Sequence, residues 1–295
     1  MRRTMLYLPG NSPGMLLRGH LFGSDGLVLD LEDAVALSEK ENARVLVGRF
    51  LERGEFGNCE VTVRINAVDS RYWRDDLAAV VPWPALSGIR APKIEGPGTV
   101  KILDEELSSI EEKHGIPVGR TRIFCLLESA KGIWNAYGTA AASPRVAAIL
   151  PGGEDLAADL RTNRSAEGTE LEWARRMLVF AARAAGVDAL DTVFPRITDE
   201  EGLRREAEFV KQLGFDGKSV IHPNQIPVVH EVFNPTEKEI SAARKITAAA
   251  KRAAEQGLGA VSVDGRMVDV PVVKRAEYIL KKAAAAGLAE VGQDG

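Results

Sequence analysis

The sequence predicts an α/β protein whose first 234 residues form a (β/α)8 barrel, or TIM barrel, of eight parallel strands. Short apolar runs alternate with longer amphipathic stretches along this part of the chain. Polar side chains recur where the apolar runs end. The alternative, an open doubly wound sheet, usually carries a glycine-rich phosphate loop after the first strand, and "LPGNSPG" at 8–14 is not that pattern.

The predicted strands are short runs rich in apolar residues. They lie at 5–9, 26–31, 60–65, 88–94, 122–127, 146–150, 191–194 and 219–223. Helices between them show apolar residues at three- and four-residue spacing, as at 39–53, 170–186 and 200–214. The last two end in Gly186 and Gly214, as expected for a left-handed cap residue. Eight such repeats within roughly 225 residues suit a barrel of ordinary size.

The tail of the chain follows a different pattern and predicts a helix–hairpin–helix extension. Residues 235–257 read as an alanine-rich amphipathic helix, and 260–270 as two short strands around the turn Asp264-Gly265. A last helix begins with Pro271 at its first position. We therefore predict a barrel domain at 1–234 and a C-terminal extension at 235–295.

The composition excludes several classes of partner. A net charge of -4 gives no reason to expect nucleic acid or an anionic membrane as the main partner. No apolar stretch approaches the ~20 residues of a membrane helix, and the apolar part of "MRRTMLYLPGN" is too short for a signal peptide. Cys59 and Cys125 lie in apolar, strand-like runs and are predicted to be buried free thiols. We predict a cytoplasmic protein.

Three acids follow the second strand, in "GLVLDLEDAV" at 26–35. Side chains alternate along a strand, so Val28, Asp30 and Glu32 share the inner face while the leucines between them face the helices. Asp33 then lies in the loop, unless it caps the next helix. Because the C-terminal strand ends of such a barrel form the site, these acids are expected at its rim.

Other strand ends are polar as well. They carry Arg64, Asn66, Lys93, Glu95, Glu128, Glu154, Asp155 and His222. Polar groups at six of the eight predicted ends converge on one site if the barrel closes. His222, just before Pro223, has the alternative of simply packing.

Glu128 and Asp155 follow consecutive strands, which lie about 4.8 Å apart in a sheet. Two carboxylates so close repel each other, and a divalent cation relieves the repulsion. Magnesium prefers such oxygen ligands, and no Cys/His cluster has zinc-like spacing. The alternative is a salt bridge with Lys93 or Arg64 and no metal. Arg64 otherwise suits a substrate carboxylate, which its planar fork can hold bidentately.

The motifs together resemble a known family. They are, in order, "LPGNSPGMLLRG", "DGLVLDLEDAV", "VRINA", "PKIE", "LLESAKGI", "PGGEDLAADL", "AAGVDALDTVF", "GFDGKSVIHPNQI" and "VFNPTEKEISAARKI". Over nearly the whole chain they are similar to the citrate lyase β-subunit-like family of the HpcH/HpaI aldolase superfamily. The resemblance implies a magnesium-dependent carbon–carbon lyase acting on citryl-, citramalyl-, malyl- or related 3-hydroxyacyl-CoA. The products are an acetyl-CoA-type thioester and a 2-oxo acid, and some members run the condensation.

The resemblance also implies roles for particular residues. Glu128 and Asp155 match the metal ligands, Glu32 and Asp33 match the residues that hold its waters, and Arg64 matches the residue that binds the substrate's carboxylate or carbonyl end. The residues matching the border of the coenzyme A arm are Pro9, Asn11 and Arg18 of the first loop and His222 and Pro223 of the last.

In the family's lyases the C-terminal segment reaches over a neighbouring subunit's site and supplies an aspartate. The matching position is Asp269, which implies a homo-oligomer, a trimer or a multiple of one. Without the resemblance, Asp269 reads as an exposed hairpin acid. The chain departs from the family at Arg161, where glycine is frequent, at Arg196, where an acid is usual, and at His230, where asparagine is common. These departures leave the substrate open.

Three alternatives to a stand-alone acyl-CoA lyase remain. The chain could be a class II aldolase acting on free hydroxy-oxo acids without coenzyme A, although the "LPGN" loop and the C-terminal hairpin argue against it. It could be the β subunit of a citrate lyase complex that needs an acyl-carrier partner. It could also be a regulatory acyl-CoA binder, which the intact set of acids disfavours.

Overall fold

The computed structural model describes residues 1–255 and 261–288, which fall into two compact units, Arg2–Val232 and Met1 with Phe233 onward. The first unit contains a closed barrel of eight parallel strands, each hydrogen-bonded to the next, with β8 closing on β1. The strands are β1 Thr4–Pro9, β2 Gly26–Asp30, β3 Glu60–Arg64, β4 Gly88–Ala91, β5 Arg122–Leu127, β6 Val146–Pro151, β7 Asp188–Asp191 and β8 Gly217–Val220. The predicted barrel is confirmed.

Helices follow the strands around the barrel. They are α1 Pro13–Arg18, α2 Lys40–Arg53, α3 Trp73–Val80, α4 Pro97–Lys113, α5 Ala130–Trp134, α6 Ala136–Ala140, α7 Gly153–Asp159, α8 Glu172–Ala185, α9 Glu200–Leu213 and α10 Gln225–Phe233, with 3-10 turns at Gly19–Phe22, Leu37–Glu39 and Thr169–Leu171. Gly186 and Gly214 end α8 and α9 with φ of 73° and 105°, which confirms the predicted left-handed caps.

Three strand positions need correction. The seventh and eighth strands were predicted at 191–194 and 219–223 but lie three and two residues earlier. Asp191 and Lys218 make the sequences of these strands look polar, yet both side chains are fully buried. Their charges are tolerated there because they pair with each other, with Lys218 Nζ 2.6 Å from Asp191 Oδ2. The fourth strand stops at Ala91 rather than 94, since Lys93 has a left-handed backbone with φ of 54°.

The barrel interior is packed with side chains, so it is a core and not a pore. Apolar residues from several strands meet there: Met5, Val28, Phe124, Ala147, Ala148, Leu150 and Leu190, with Tyr7 against them. Val28 therefore faces inward, as the alternation along β2 predicts. With the middle of the barrel filled, a site for a ligand is left at the rim.

The second unit contains α11 Glu237–Glu255, the antiparallel pair β9 Val261–Val263 and β10 Arg266–Val268, and α12 Val270–Ala285. Asp264 and Gly265 between the strands have φ of 49° and 76°, as a tight two-residue hairpin turn requires. The end of the predicted helix at 257 and the start of the predicted hairpin at 260 lie outside the described residues. Among the residues that are described, no helix is long and apolar enough to cross a membrane.

Candidate active site

The polar strand ends line two neighbouring cavities at the C-terminal rim of the barrel. The first has a volume of about 370 Å³ and the second about 750 Å³. Glu128 and Asp155 line both. The first cavity is also lined by Tyr7, Pro9, Asp30, Asp33, Arg64, Thr192 and Ser219, and the second by Asp69, Lys93, Glu95, Ser129 and Asp159. Of the residues predicted to converge, Arg64, Lys93, Glu95, Glu128, Glu154 and Asp155 line these cavities, whereas Asn66 and His222 line neither.

Glu128 follows β5 directly and is only 6% exposed. Its Oε2 accepts a hydrogen bond of 2.9 Å from the backbone N–H of Lys93. Gly152, after β6, leaves space for this carboxylate, because a Cβ there would lie 2.4 Å from Glu128 Cγ. Asp155 lies in the first turn of α7, which starts at Gly153. The backbone around the two acids is therefore built to bring them to one cavity.

Glu128 has no lysine or arginine at ion-pair distance among the described residues. Burial, together with the carboxylates of Glu32 and Asp155, raises the pKa of Glu128 to about 8. Within the described part of the chain, neither Glu128 nor Asp155 forms an ion pair with arginine or lysine. The alternative of a metal-free salt bridge from Lys93 or Arg64 to this pair is therefore not what the structure contains.

Arg64 ends β3 and is held by Asp30, its register partner at the end of β2. Its Nε and Nη2 donate to the two Asp30 oxygens at 2.7 and 2.6 Å. This bidentate pair fixes the plane of the guanidinium. Nη1 faces Asp33, to whose Oδ2 it donates at 3.3 Å. Sequence reasoning placed Asp30 on the inner face but missed this role, which depends on the register between two strands.

Glu32 and Asp33 differ in their surroundings. The Glu32 carboxylate is 6% exposed, and burial raises its pKa to about 7 even though the charge of Arg64 opposes the rise. Arg64 Nη1 lies 2.9 Å from Glu32 Oε2, but not in hydrogen-bonding geometry, so this buried oxygen has no hydrogen-bond donor among the described residues. Asp33 is exposed and does not cap α2, whose N-cap is Glu39.

A buried lysine that the sequence reasoning missed supports this acidic turn. Lys40, the first residue of α2, is 6% exposed. Its Nζ donates to the backbone oxygens of Leu31 and Glu32 at 2.8 and 2.6 Å. It therefore fixes the backbone that carries Glu32, and burial lowers its pKa although the nearby acids oppose this.

The remaining predicted residues are less central. Pro9 lines the first cavity, whereas Asn11, Arg18, His222 and Pro223 line neither of the two. His222 lies two residues beyond the end of β8, where its Nδ1 accepts a hydrogen bond of 3.2 Å from the backbone of Asn224. Arg161 has a left-handed backbone with φ of 59°, the conformation that glycine adopts at low cost.

Asp269 belongs to the second unit. It is the N-cap of α12, with its side chain accepting from the backbone N–H of Val272 at 3.3 Å. It is partly buried rather than a fully exposed hairpin acid. Its predicted role in a neighbouring subunit's site stays a prediction.

The donor set fits a hard divalent cation. No three His, Cys, Asp or Glu side chains of the described residues group as ligands of one ion. Magnesium is commonly held by only one or two carboxylates, with waters and substrate oxygens completing its shell. Glu128 and Asp155 supply such a pair, and the Glu32 oxygen without a donor is suited to accept from a bound water.

Comparisons with known proteins agree with this barrel. The profile of the HpcH/HpaI aldolase/citrate lyase family matches residues 3–223. The citrate lyase subunit beta of Leuconostoc mesenteroides subsp. cremoris is 44% identical over 97% of this chain and 94% of that protein. The mitochondrial citramalyl-CoA lyase of Rattus norvegicus is 34% identical over 96% of this chain and 86% of its own.

A solved structure is similar as well. The protein CitE from Mycobacterium tuberculosis, in complex with magnesium, acetoacetate and coenzyme A, has a TM-score of 0.77 and 31% identity, covering 96% of this chain and 98% of that one. Fold, site and comparisons together define a barrel lyase that acts on carbon–carbon bonds. The chain belongs to the HpcH/HpaI aldolase/citrate lyase family, and within it to the members that are like the citrate lyase β subunit.

Proposed function

We propose that the chain is a magnesium-dependent lyase that cleaves, or in reverse forms, a 3-hydroxyacyl-CoA thioester. Citryl-, citramalyl- and malyl-CoA are the candidate substrates, and an acetyl-CoA-type thioester and a 2-oxo acid the products. The names of the relatives, citrate lyase subunit beta and citramalyl-CoA lyase, support this substrate class. The structural relative holds magnesium, a 3-oxo acid and coenzyme A together.

The observation that carries the proposal is the unbalanced carboxylate pair at the rim. Glu128 is buried beside Asp155 and Glu32, and its pKa is raised to about 8. Burying a carboxylate without a counterion is costly, and a bound cation removes that cost. In the proposal Glu128 and Asp155 hold the magnesium, and Glu32 and Asp33 orient its waters. When bound, the ion supplies Lewis-acid polarisation of the substrate's oxygens.

The protein's own residues orient the substrate and move its protons. Arg64, held in one plane by Asp30, presents positive charge to the cavity where negative charge develops during cleavage. A base at the site removes the proton of the substrate hydroxyl, whose carbon becomes the carbonyl of the oxo acid. The electrons of the broken carbon–carbon bond pass to the thioester enolate, which Asp269 protonates at carbon. In condensation Asp269 removes that proton instead.

The proposed role of Asp269 makes the active enzyme a homo-oligomer, a trimer or a multiple of one. The second unit would then supply Asp269 to the site of a neighbouring copy, with the coenzyme A arm bordered by the first loop and the loop after β8. We also propose a cytoplasmic location, which the free thiols Cys59 and Cys125 support.

The test uses single variants of the proposed metal ligands. Glu128→Ala and Asp155→Ala should each abolish magnesium-dependent release of 2-oxo acid from the CoA panel, while far-UV circular dichroism stays like that of the wild type. Glu105→Ala, on α4 and lining neither cavity, is the matched control. Full turnover by either ligand variant, or equal wild-type turnover with EDTA, would contradict the assignment.

A second candidate is the β subunit of a citrate lyase complex that takes citryl groups from an acyl-carrier partner. The relative at 44% identity, named a citrate lyase subunit, favours it. The purified chain then leaves free CoA thioesters intact and cleaves only the carrier-bound thioester. Turnover of free citryl-, citramalyl- or malyl-CoA by the isolated chain would exclude this candidate.

A further inference from the structure

In the part of the chain that the structure describes, one arginine inside the barrel has no acidic partner. Arg90, on β4, is 0% exposed, and among the described residues its Nε and Nη2 have no hydrogen-bond acceptor. The other deeply buried cations differ, since Arg175 and Lys218 both pair with Asp191. The Arg90 guanidinium instead lies over the rings of Tyr7 and Phe124, at 5.4 and 5.6 Å from their centroids. Stacking on these rings compensates only part of the cost of burying the charge.

Arg90 contacts two hydroxyl groups that line the first cavity. Its Nη1 donates to Tyr7 Oη at 3.4 Å and to Ser219 Oγ at 3.3 Å. A guanidinium has donors only, so both hydroxyls accept from it and must direct their own hydrogens elsewhere. Within the described residues neither hydroxyl donates to a protein acceptor. Both residues line the first cavity, so a group bound there is a suitable acceptor for the two hydroxyls.

The charge around Tyr7 strengthens these donors. Two guanidiniums contact its ring, because Arg64 lies 5.2 Å and Arg90 5.4 Å from the ring centroid. Arg64 is already bound bidentately by Asp30, whereas Arg90 has no carboxylate partner in the described ranges 1–255 and 261–288. A negative group that enters the first cavity thus meets two polarised hydroxyls with an uncompensated positive charge behind them.

We propose that Tyr7 Oη and Ser219 Oγ, oriented by Arg90, form a carboxylate subsite at the floor of the first cavity. It takes the carboxylate of the small oxo acid, and Arg90 acts as a positioning residue behind it. The inference rests on the proposed function for the identity of the 2-oxo acid. It goes beyond that function because it assigns the carboxylate of this acid to the two hydroxyls in addition to Arg64.

Direct binding tests the subsite without turnover. Pyruvate, and the uncharged analogue pyruvamide as comparison, are titrated calorimetrically into the protein in the same magnesium buffer. Tyr7→Phe and Ser219→Ala should each weaken pyruvate binding by about tenfold or more, the usual loss when a hydrogen bond to a charged group is removed. Pyruvamide binding should change much less, since it carries no charge for the subsite to hold.

Two further variants separate a binding role from a structural one. Tyr137→Phe, an exposed tyrosine of α6 outside both cavities, should bind pyruvate like the wild type. Arg90→Met should lose pyruvate affinity as the hydroxyl variants do. If it fails to fold, the conservative Tyr7→Phe and Ser219→Ala variants still decide the question.

The outcomes are distinct for the subsite and for the proposed function. Unchanged pyruvate affinity in the Tyr7→Phe/Ser219→Ala double variant, an equal loss for pyruvamide, or no pyruvate binding by the wild type overturns the subsite. Charge-selective binding that depends on the hydroxyls, in a protein that cleaves none of the CoA thioesters, supports the subsite and contradicts the proposed function. If the wild type cleaves a CoA thioester and the double variant keeps wild-type pyruvate affinity, the proposed function is supported and the subsite is contradicted.

Discussion

Gly152 shows how one missing side chain makes room for a carboxylate. Its backbone, with φ of −92° and ψ of 97°, is open to alanine, so the constraint is space alone. A Cβ would lie 2.4 Å from Glu128 Cγ and 2.6 Å from Oε1. We expect Gly152→Ala to displace the Glu128 carboxylate and to lower kcat/KM by about 100-fold, the cost of a misplacement near 1 Å. Steady-state kinetics over a magnesium series measure this.

The control is another glycine whose Cβ would meet nothing. Gly98, in the first turn of α4, has no atom within 4 Å of a built Cβ. Gly98→Ala should keep wild-type kinetics and leave the stability equal or slightly higher. Wild-type kinetics in Gly152→Ala would show that Glu128 is not held where we infer.

At the scale of elements, buried ion pairs bind β7 and β8 to the helices outside them. Asp191 pairs with Arg175 of α8 at 2.9 Å and with Lys218 of β8 at 2.6 Å, and Lys218 also reaches Glu206 of α9 at 2.6 Å. Burial acts to raise the pKa of Asp191, but the two cations outweigh it and lower the pKa from 3.8 to about 2. The carboxylate is thus stabilised in its charged form by the fold.

This pairing predicts acid sensitivity with a defined sign. The pKa of Asp191 is lower in the folded protein than in the unfolded chain. Its carboxylate therefore stabilises the fold at pH values above 3.8, and this contribution is lost as the pH falls from 3.8 toward 2. In urea unfolding from pH 6 to pH 3, the wild type should lose up to about 1.4 kcal/mol per pH unit more than Asp191→Asn at the acid end. If the free energy of unfolding falls with pH equally steeply in both proteins, the prediction is contradicted, whatever their absolute stabilities.

The same ion pairs explain where reading the sequence failed. Apolar runs located the first six strands, because most of the residues that these strands bury are uncharged. The seventh strand, "DALD", begins and ends with aspartate, and the eighth begins "GK". The more apolar segments that follow, 191–194 and 219–223, were therefore predicted as the strands. Only the tertiary partners Arg175 and Glu206 make charges acceptable there, and those partners lie on other elements.

The candidate site divides in a similar way. The acids at the strand ends were predictable, because alternation along β2 and the order of β5 and β6 bring them to one rim. Contacts between strands were not predictable: Asp30 with Arg64, and Arg90 with Tyr7 and Ser219, require a known register and a closed barrel. Lys40 was hidden for another reason, since a lysine opening a helix usually reads as solvated.

For the whole molecule, the proposed exchange of Asp269 between copies predicts complementation. Glu128→Ala and Asp269→Ala should each be inactive alone, but co-expressed chains should form mixed oligomers if the chain is a homo-oligomer as proposed. A site with Glu128 from one chain and Asp269 from the other is then complete. Release of 2-oxo acid by the purified mixture should recover to a fraction of the wild-type rate.

The control pair is Glu128→Ala with Asp155→Ala, which should stay inactive in any mixture because both ligands come from one chain. Absence of recovery in the first mixture, with mixed oligomers verified by two affinity tags, would place Asp269 in the site of its own chain or outside catalysis.

The left-handed backbone at Lys93 has a consequence for redesign of the enzyme. With φ of 54°, Lys93 turns its N–H toward Glu128, so the amide and not the ammonium supports that acid. Glycine and asparagine accept this conformation readily, while valine or isoleucine do not. A mutational library for new substrates can therefore vary this position among the first group without disturbing Glu128, and should leave out the β-branched residues.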